Sequence, residues 1–254
     1  MKKISMILLL VFILTGLFAC EKDKTPDEET LITDPIVIDD YDIESFDRLF
    51  NDEIEKTITI KITSDAWNNL DDEMIEYNQM FGNYRSDVYV MADFLYEDPS
   101  GQVEIEKVGF RTRGNLSRTR IQNDSGTLNL SNFKISFDED FDNPLYSELK
   151  KRTAFDLEEL DMKFNRNWDE TYLSEKFALD LFNDFDVYAA RTTLANFYVE
   201  IDDVSHYYGV YTLFEPIDQM FFEKRLAIEE TEGNLYKSLW QQFNPHRFKA
   251  IIQS

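Results

Sequence analysis

Runs of alternating side chains set the terms on which this chain can fold. The segment ITIKIT that starts at Thr57 puts Ile58, Ile60 and Ile62 on one side and Thr59, Lys61 and Thr63 on the other. A period of two belongs to a strand with one buried face. Further strands are expected over residues 86–95, where Val88, Val90 and Ala92 alternate, and over 101–113, 133–137, 193–201 and 207–214. Asp98, Pro99, Ser100 and Gly101 supply a turn, so 86–95 and 101–113 read as a hairpin. Helical spacing takes over in three places. Residues 65–80 carry Asp65 as the expected N-cap, with Trp67, Leu70 and Met74 on one face. Residues 171–185 set Leu173, Phe177, Leu181 and Phe185 in one stripe that is expected to be buried. A third helix is expected over 217–225. Strands with helices inserted among them predict an α+β domain.

The first twenty residues belong to a different physical regime. Lys2 and Lys3 precede an apolar run from Ile7 to Ala19, far shorter than the roughly 20 residues that span a bilayer, which is the pattern of a secretory leader. Leu17-Phe18-Ala19-Cys20 resembles the lipobox of bacterial lipoproteins, predicting cleavage before Cys20 and acylation of its thiol. The alternative is a plain secretory leader with an incidental cysteine. On the lipoprotein reading the protein is exported and held through Cys20 at a membrane of the cell envelope, with the outer membrane and the cell surface as the alternatives. Residues 21–52, rich in Asp and Glu with Pro26 and Pro35, read as an acidic linker, leaving 53–254 for the domain.

Cys20 is the only cysteine, so the domain uses neither disulfides nor thiolate metal sites. Its stability must come from packing, for which 43% hydrophobic and 15% aromatic residues are ample. With 50 acidic residues against 26 basic ones the formal net charge is -24. Such a field repels nucleic acid and favours cationic partners, a protein substrate included, or metal-bridged phosphates.

Against that acidic background Arg111, Arg113 and Arg118 form a basic island around Gly114, Asn115 and Ser117. Gly114 lets backbone approach a ligand closely, and the arginines and the Ser117 hydroxyl suit phosphate oxygens. A surface turn whose arginines pair with neighbouring carboxylates is the other reading. Lys134 shares a strand face with Ser136. A strand lysine can neutralise a nucleotide phosphate when a helix carboxylate fixes its ammonium; otherwise it is a solvated charge. Acid–base hydrolysis by paired carboxylates such as Glu158 and Asp161 is a weaker alternative, because so many acids produce pairs by chance. With only His206 and His246, a histidine metal site is disfavoured.

Four segments in order, FRTRGNLSRTR, NFKISFD, YGVYTLFEPID and GNLYKS, resemble the CotH kinase family of atypical secreted and spore-coat kinases. Its R-x-R-G-N-x-S pattern matches Arg111 to Ser117, and its K-x-S-F-like strand matches Lys134 to Phe137. The helix pattern matches Asp169, Thr171, Leu173, Glu175 and Lys176. Gly209, Val210, Tyr211, Leu213, Glu215, Ile217 and Asp218 fit a further pattern, and residues 233–237 the last. The resemblance implies a kinase-like fold of antiparallel strands and packed helices, ATP and Mg as cofactors, and transfer of a phosphoryl group to Ser or Thr. It implies that Arg113, Gly114, Asn115 and Ser117 face the nucleotide and that Lys134 contacts phosphate. Glu175 is then the expected partner of Lys134, with Glu215 or Asp218 as alternatives, and Lys237 lines the same cleft. In the family the catalytic and metal-binding aspartates follow the Y-K motif. Ending at Ser254, the chain is therefore expected to hold only the N-terminal part of the domain, or to be a non-catalytic surface binding module.

Overall fold

A computed structural model describes residues 42–115, 118–164, 169, 171–227, 230, 231, 233, 235–238 and 248–251. All of these belong to one unit, 35–254. Cys20 and Ser117, and the side chain of Lys237, lie outside the described part. In chain order, β1 (Asp42–Ile43) and α1 (Phe46–Leu49) lead into β2 (Thr57–Ile62), α2 (Ser64–Phe81), β3 (Val90–Asp98), β4 (Gly101–Thr112) and β5 (Phe133–Ser136). A 3-10 helix (Pro144–Lys151), β6 (Thr153–Ala154), β7 (Glu159–Phe164) and α3 (Ser174–Asp184) follow. The order continues with β8 (Thr192–Ile201), β9 (Val204–Phe214), α4 (Gln219–Glu223), β10 (Leu235–Ser238) and β11 (Phe248–Ile251).

Seven strands close into a barrel in the order β2-β3-β4-β5-β7-β9-β8. Closure removes the edges that an open sheet of this size would expose. Each ladder is antiparallel except β2 with β8, the parallel pair that closes the ring. The α+β expectation therefore holds, and the closed barrel is the feature it did not contain. Alternation sends Ile58, Ile60, Phe94, Phe110, Phe133, Ile135, Leu160, Met162, Phe197, Tyr211 and Leu213 inward, each fully buried. Aromatic rings fill the centre: Phe133 stacks on Phe110 at 4.8 Å, and Phe197 lies 4.7 Å from Tyr211. Offset and tilted contacts of this kind add about 0.5–1.5 kcal/mol each to the burial of the rings.

Ordered packing reaches into the residues before 53. Leu49 and Phe50 are buried in the core, and Asp42 and Ile43 pair with Thr153 and Ala154, so ordered packing begins before the end of the expected linker. Helix α2 buries Trp67, Leu70 and Met74 as its spacing predicts. Its N-cap is Thr63, not Asp65: the Thr63 hydroxyl accepts from the Ala66 N–H at 3.1 Å. Replacing Thr63 with Ala should cost about 1 kcal/mol, read as a lower midpoint in urea unfolding, and Asp65→Ala should cost less.

Helix α3 overturns the expectation of a buried stripe. It starts at Ser174, none of its residues is buried, and Phe177 and Phe185 are 68% and 73% exposed. The helix is held instead by its charged side. The Lys176 ammonium donates to Asp180 at 2.8 Å, to Asp52 at 2.6 Å and to the Thr192 carbonyl at 3.1 Å. Turning that side to the barrel leaves Leu181, Phe182 and Phe185 facing away from it.

Candidate functional site

Strand β7 organises the site. Leu160 and Met162 face the core, which leaves Glu159, Asp161 and Lys163 on the outer face. Register then sets Arg111, Lys134, Asp161 and Phe214 side by side across β4, β5, β7 and β9. At the end of this row a cleft of about 500 Å³ opens between the barrel and α3. Leu179, Ala190, Phe214, Pro216 and Ile217 form an apolar wall, and Arg113, Gly114, Asn132, Asp161, Lys163 and Glu175 supply the polar part. Asn132 ties the floor together, its carbonyl accepting from the Arg113 N–H at 2.9 Å and its side chain from the Phe164 N–H at 3.1 Å.

The strand-lysine and helix-glutamate pair expected for a kinase-like site is present, but with a different lysine. Glu175, on the first turn of α3, bonds the Lys163 ammonium, which also lies 5.4 Å from the Phe214 ring centre. Lys134 does not line the cleft. It bonds Glu159 on the adjacent strand and lies 3.6 Å from Asp161 Oδ1. Burial would raise the Glu159 carboxyl, but the charge and hydrogen bond of Lys134, with the Tyr89 hydroxyl donating at 2.9 Å, outweigh it and hold it below the usual range. A depressed carboxyl contributes stability above its unfolded pKa and loses it as pH falls through its folded pKa. The unfolding free-energy gap between wild type and Glu159→Gln should therefore shrink as pH is lowered from about 6 to about 3. Urea titrations at each pH check this.

Of the other predicted residues, Arg113, Gly114 and Glu215 reach the cleft beside Glu175. Glu215 is not a lysine partner. Its carboxylate takes Arg225 at 2.5 Å and 2.8 Å and the Arg191 N–H at 3.0 Å, which ties the residue just past α4 and the residue just before β8 to the end of β9. Asp218 caps α4, accepting from the Phe221 N–H at 3.0 Å. Asn115 accepts from Arg85 at 2.5 Å and is outside the lining. Glu158 lies in a bend before β7, and the charged neighbours of Asp161 are Arg113 and Lys134. Asp161 forms an ion pair with Arg113 at 3.0 Å, and its buried Oδ1 makes no hydrogen bond among the described residues.

Asp161 and Lys163 are the site residues that sequence reasoning missed as cleft residues. The signal was there in ELDMKF, a six-residue alternation of charged and apolar side chains. Among the described residues no group of His, Cys, Asp or Glu is placed to hold a metal ion, so no magnesium ligands are assigned. A family model described as CotH kinase protein matches residues 110–250. None of the curated proteins matches the chain. The family match spans more than half of the sequence and contains every residue that lines the cleft; the chain belongs to the CotH kinase family.

Proposed function

We propose that the cleft binds the nucleotide of a kinase that phosphorylates Ser or Thr hydroxyls on proteins, in a lipoprotein anchored through Cys20 at a membrane of the cell envelope. The observation that carries this reading is the cleft's two-part chemistry. Leu179, Ala190, Phe214, Pro216 and Ile217 offer a flat apolar wall to a purine ring, and Lys163 and Arg113 lie at its charged end. ATP bound there supplies the phosphoryl group that such a kinase transfers. The chain's residues do the positioning. Glu175 holds the Lys163 ammonium at the phosphate end, Arg113 adds a second cation, and Gly114 leaves room for an anionic group to approach backbone. Asp161 keeps Arg113 oriented.

Calorimetric titration of the chain with Mg-ATP tests the reading. Binding that depends on Lys163 supports it, and absence of binding removes it. The exposed stripe of Phe177, Leu181, Phe182 and Phe185 favours a second reading, a non-catalytic module that binds another protein through α3. That module would keep its partner when Lys163 is replaced and lose it when Phe177 and Phe185 are.

A further inference from the structure

Arg118 lies outside the cleft lining, yet its side chain is only 6% exposed. Its Nε donates to the Gly114 carbonyl at 3.0 Å. One terminal nitrogen donates to the Ser86 carbonyl, and both reach Asp87 Oδ1, at 3.2 Å and 3.3 Å. Asp87 is held in turn by Arg111 at 2.8 Å, and the Arg111 guanidinium sits 4.8 Å from the Tyr89 ring centre. On the other flank the Asn115 side chain is held by Arg85. Two arginines from separate parts of the chain thus fasten the peptide between Gly114 and Asn115.

Gly114 has φ 114°, a conformation that side-chain-bearing residues rarely adopt. It lines the cleft while giving its carbonyl to Arg118, whose other partners, Ser86 and Asp87, line a different hollow. A planar trans peptide points its N–H opposite to its C=O. Fixing the Gly114 carbonyl on Arg118 therefore turns the Asn115 N–H the other way. We propose that Arg118 is a positioning residue that holds the Asn115 N–H toward the cleft as a hydrogen-bond donor for a phosphoryl oxygen. Backbone N–H groups presented by glycine-bearing turns are effective anion donors because they carry no side-chain entropy to lose. The placement also accounts for a buried guanidinium outside the cleft lining: burial lowers its pKa, so its charge is retained at a cost that hydrogen bonds to two carbonyls and Asp87 offset.

This inference rests on the nucleotide reading of the cleft and assigns it a backbone donor. The test titrates the chain with Mg-ATP and with adenosine, for wild type, Arg118→Met and Arg118→Lys. Arg118→Met should weaken Mg-ATP about tenfold and leave adenosine within about twofold, because only the phosphate donor is misplaced. Arg118→Lys, which keeps one donor for the Gly114 carbonyl, should recover part of the Mg-ATP loss and guards against a Met variant that fails to fold. Equal weakening of both ligands, or unchanged Mg-ATP binding in both variants, overturns the role of Arg118 alone. Absence of Mg-ATP binding by the wild type overturns the cleft reading and the phosphate role together.

Discussion

Replacing Lys163 with Met is expected to lower Mg-ATP affinity about 100-fold, whereas Lys134→Met should leave it within about threefold. Both lysines stand on the outer face of barrel strands, and the motif resemblance pointed to Lys134. Position favours Lys163. Lys163 is in the cleft and is fixed by Glu175 from α3, while Lys134 is tied to Glu159 away from it. A fixed ammonium meets a phosphate without first losing side-chain freedom, which makes its loss cost more than that of a free surface charge. Glu175→Gln should show a smaller loss, about tenfold, since the cation remains but is less well oriented. The folded state should hardly notice Lys163→Met, because the Glu175 side chain is 46% exposed and such a pair contributes less than about 1 kcal/mol. Calorimetry for affinity and urea unfolding for stability separate the two effects. Equal affinity losses for the Lys134 and Lys163 variants would contradict the assignment.

The largest effect on stability is expected from Arg152→Met, about 4 kcal/mol in urea unfolding. The Arg152 side chain is buried, and burial pushes its guanidinium down to about 10. It donates to the Phe137 carbonyl at 2.6 Å and to the Glu106 and Lys107 carbonyls at 2.8 Å each. Two of those carbonyls belong to β4 at an irregular point, and the third lies just past the end of the adjacent β5. The β3–β4 register shifts between Ala92 and Phe94, and opposite that shift Lys107 has φ 56° and donates its N–H to Asp93 at 2.8 Å. Met fills most of the same volume but takes the donors from one buried and two part-buried acceptors, each worth roughly 1–2 kcal/mol. Against a total stability of about 5–15 kcal/mol, that loss threatens folding itself. Arg152→Lys should recover part of it, because one ammonium cannot span three acceptors that a planar fork reaches. A cost below about 1 kcal/mol for the Met variant would show that the bulge holds without the arginine.

The sequence revealed most clearly what is decided locally. The hairpin β3–β4, the pair β8–β9 and helix α2 follow from alternation, turn residues and helical spacing within short windows. Barrel closure was hidden because it depends on the parallel pairing of β2 with β8, more than 130 positions apart, and on β7 meeting β9. The same limit explains the site. Arg113, Gly114, Glu175 and Glu215, which meet in one cleft, were singled out by motifs that are weak one by one and fairly specific in order. Which strand lysine meets Glu175 depends on which strand lies next to α3, and no local pattern records that. The stripe of α3 misled for a related reason. Leu173, Phe177, Leu181 and Phe185 have the spacing of a buried face, but Lys176 and Glu175 anchor the helix by its charged side.

The most direct measurement follows backbone amide resonances of the isotopically labelled chain as Mg-ATP is added. The account predicts that the largest shifts fall on Arg113, Gly114 and Asn115, on Lys163, and on Ala190, Phe214 and Ile217 along the apolar wall, and that Lys163→Met abolishes them at the same nucleotide concentration. Shifts that cluster elsewhere on the barrel, or that persist in the Lys163 variant, would contradict it.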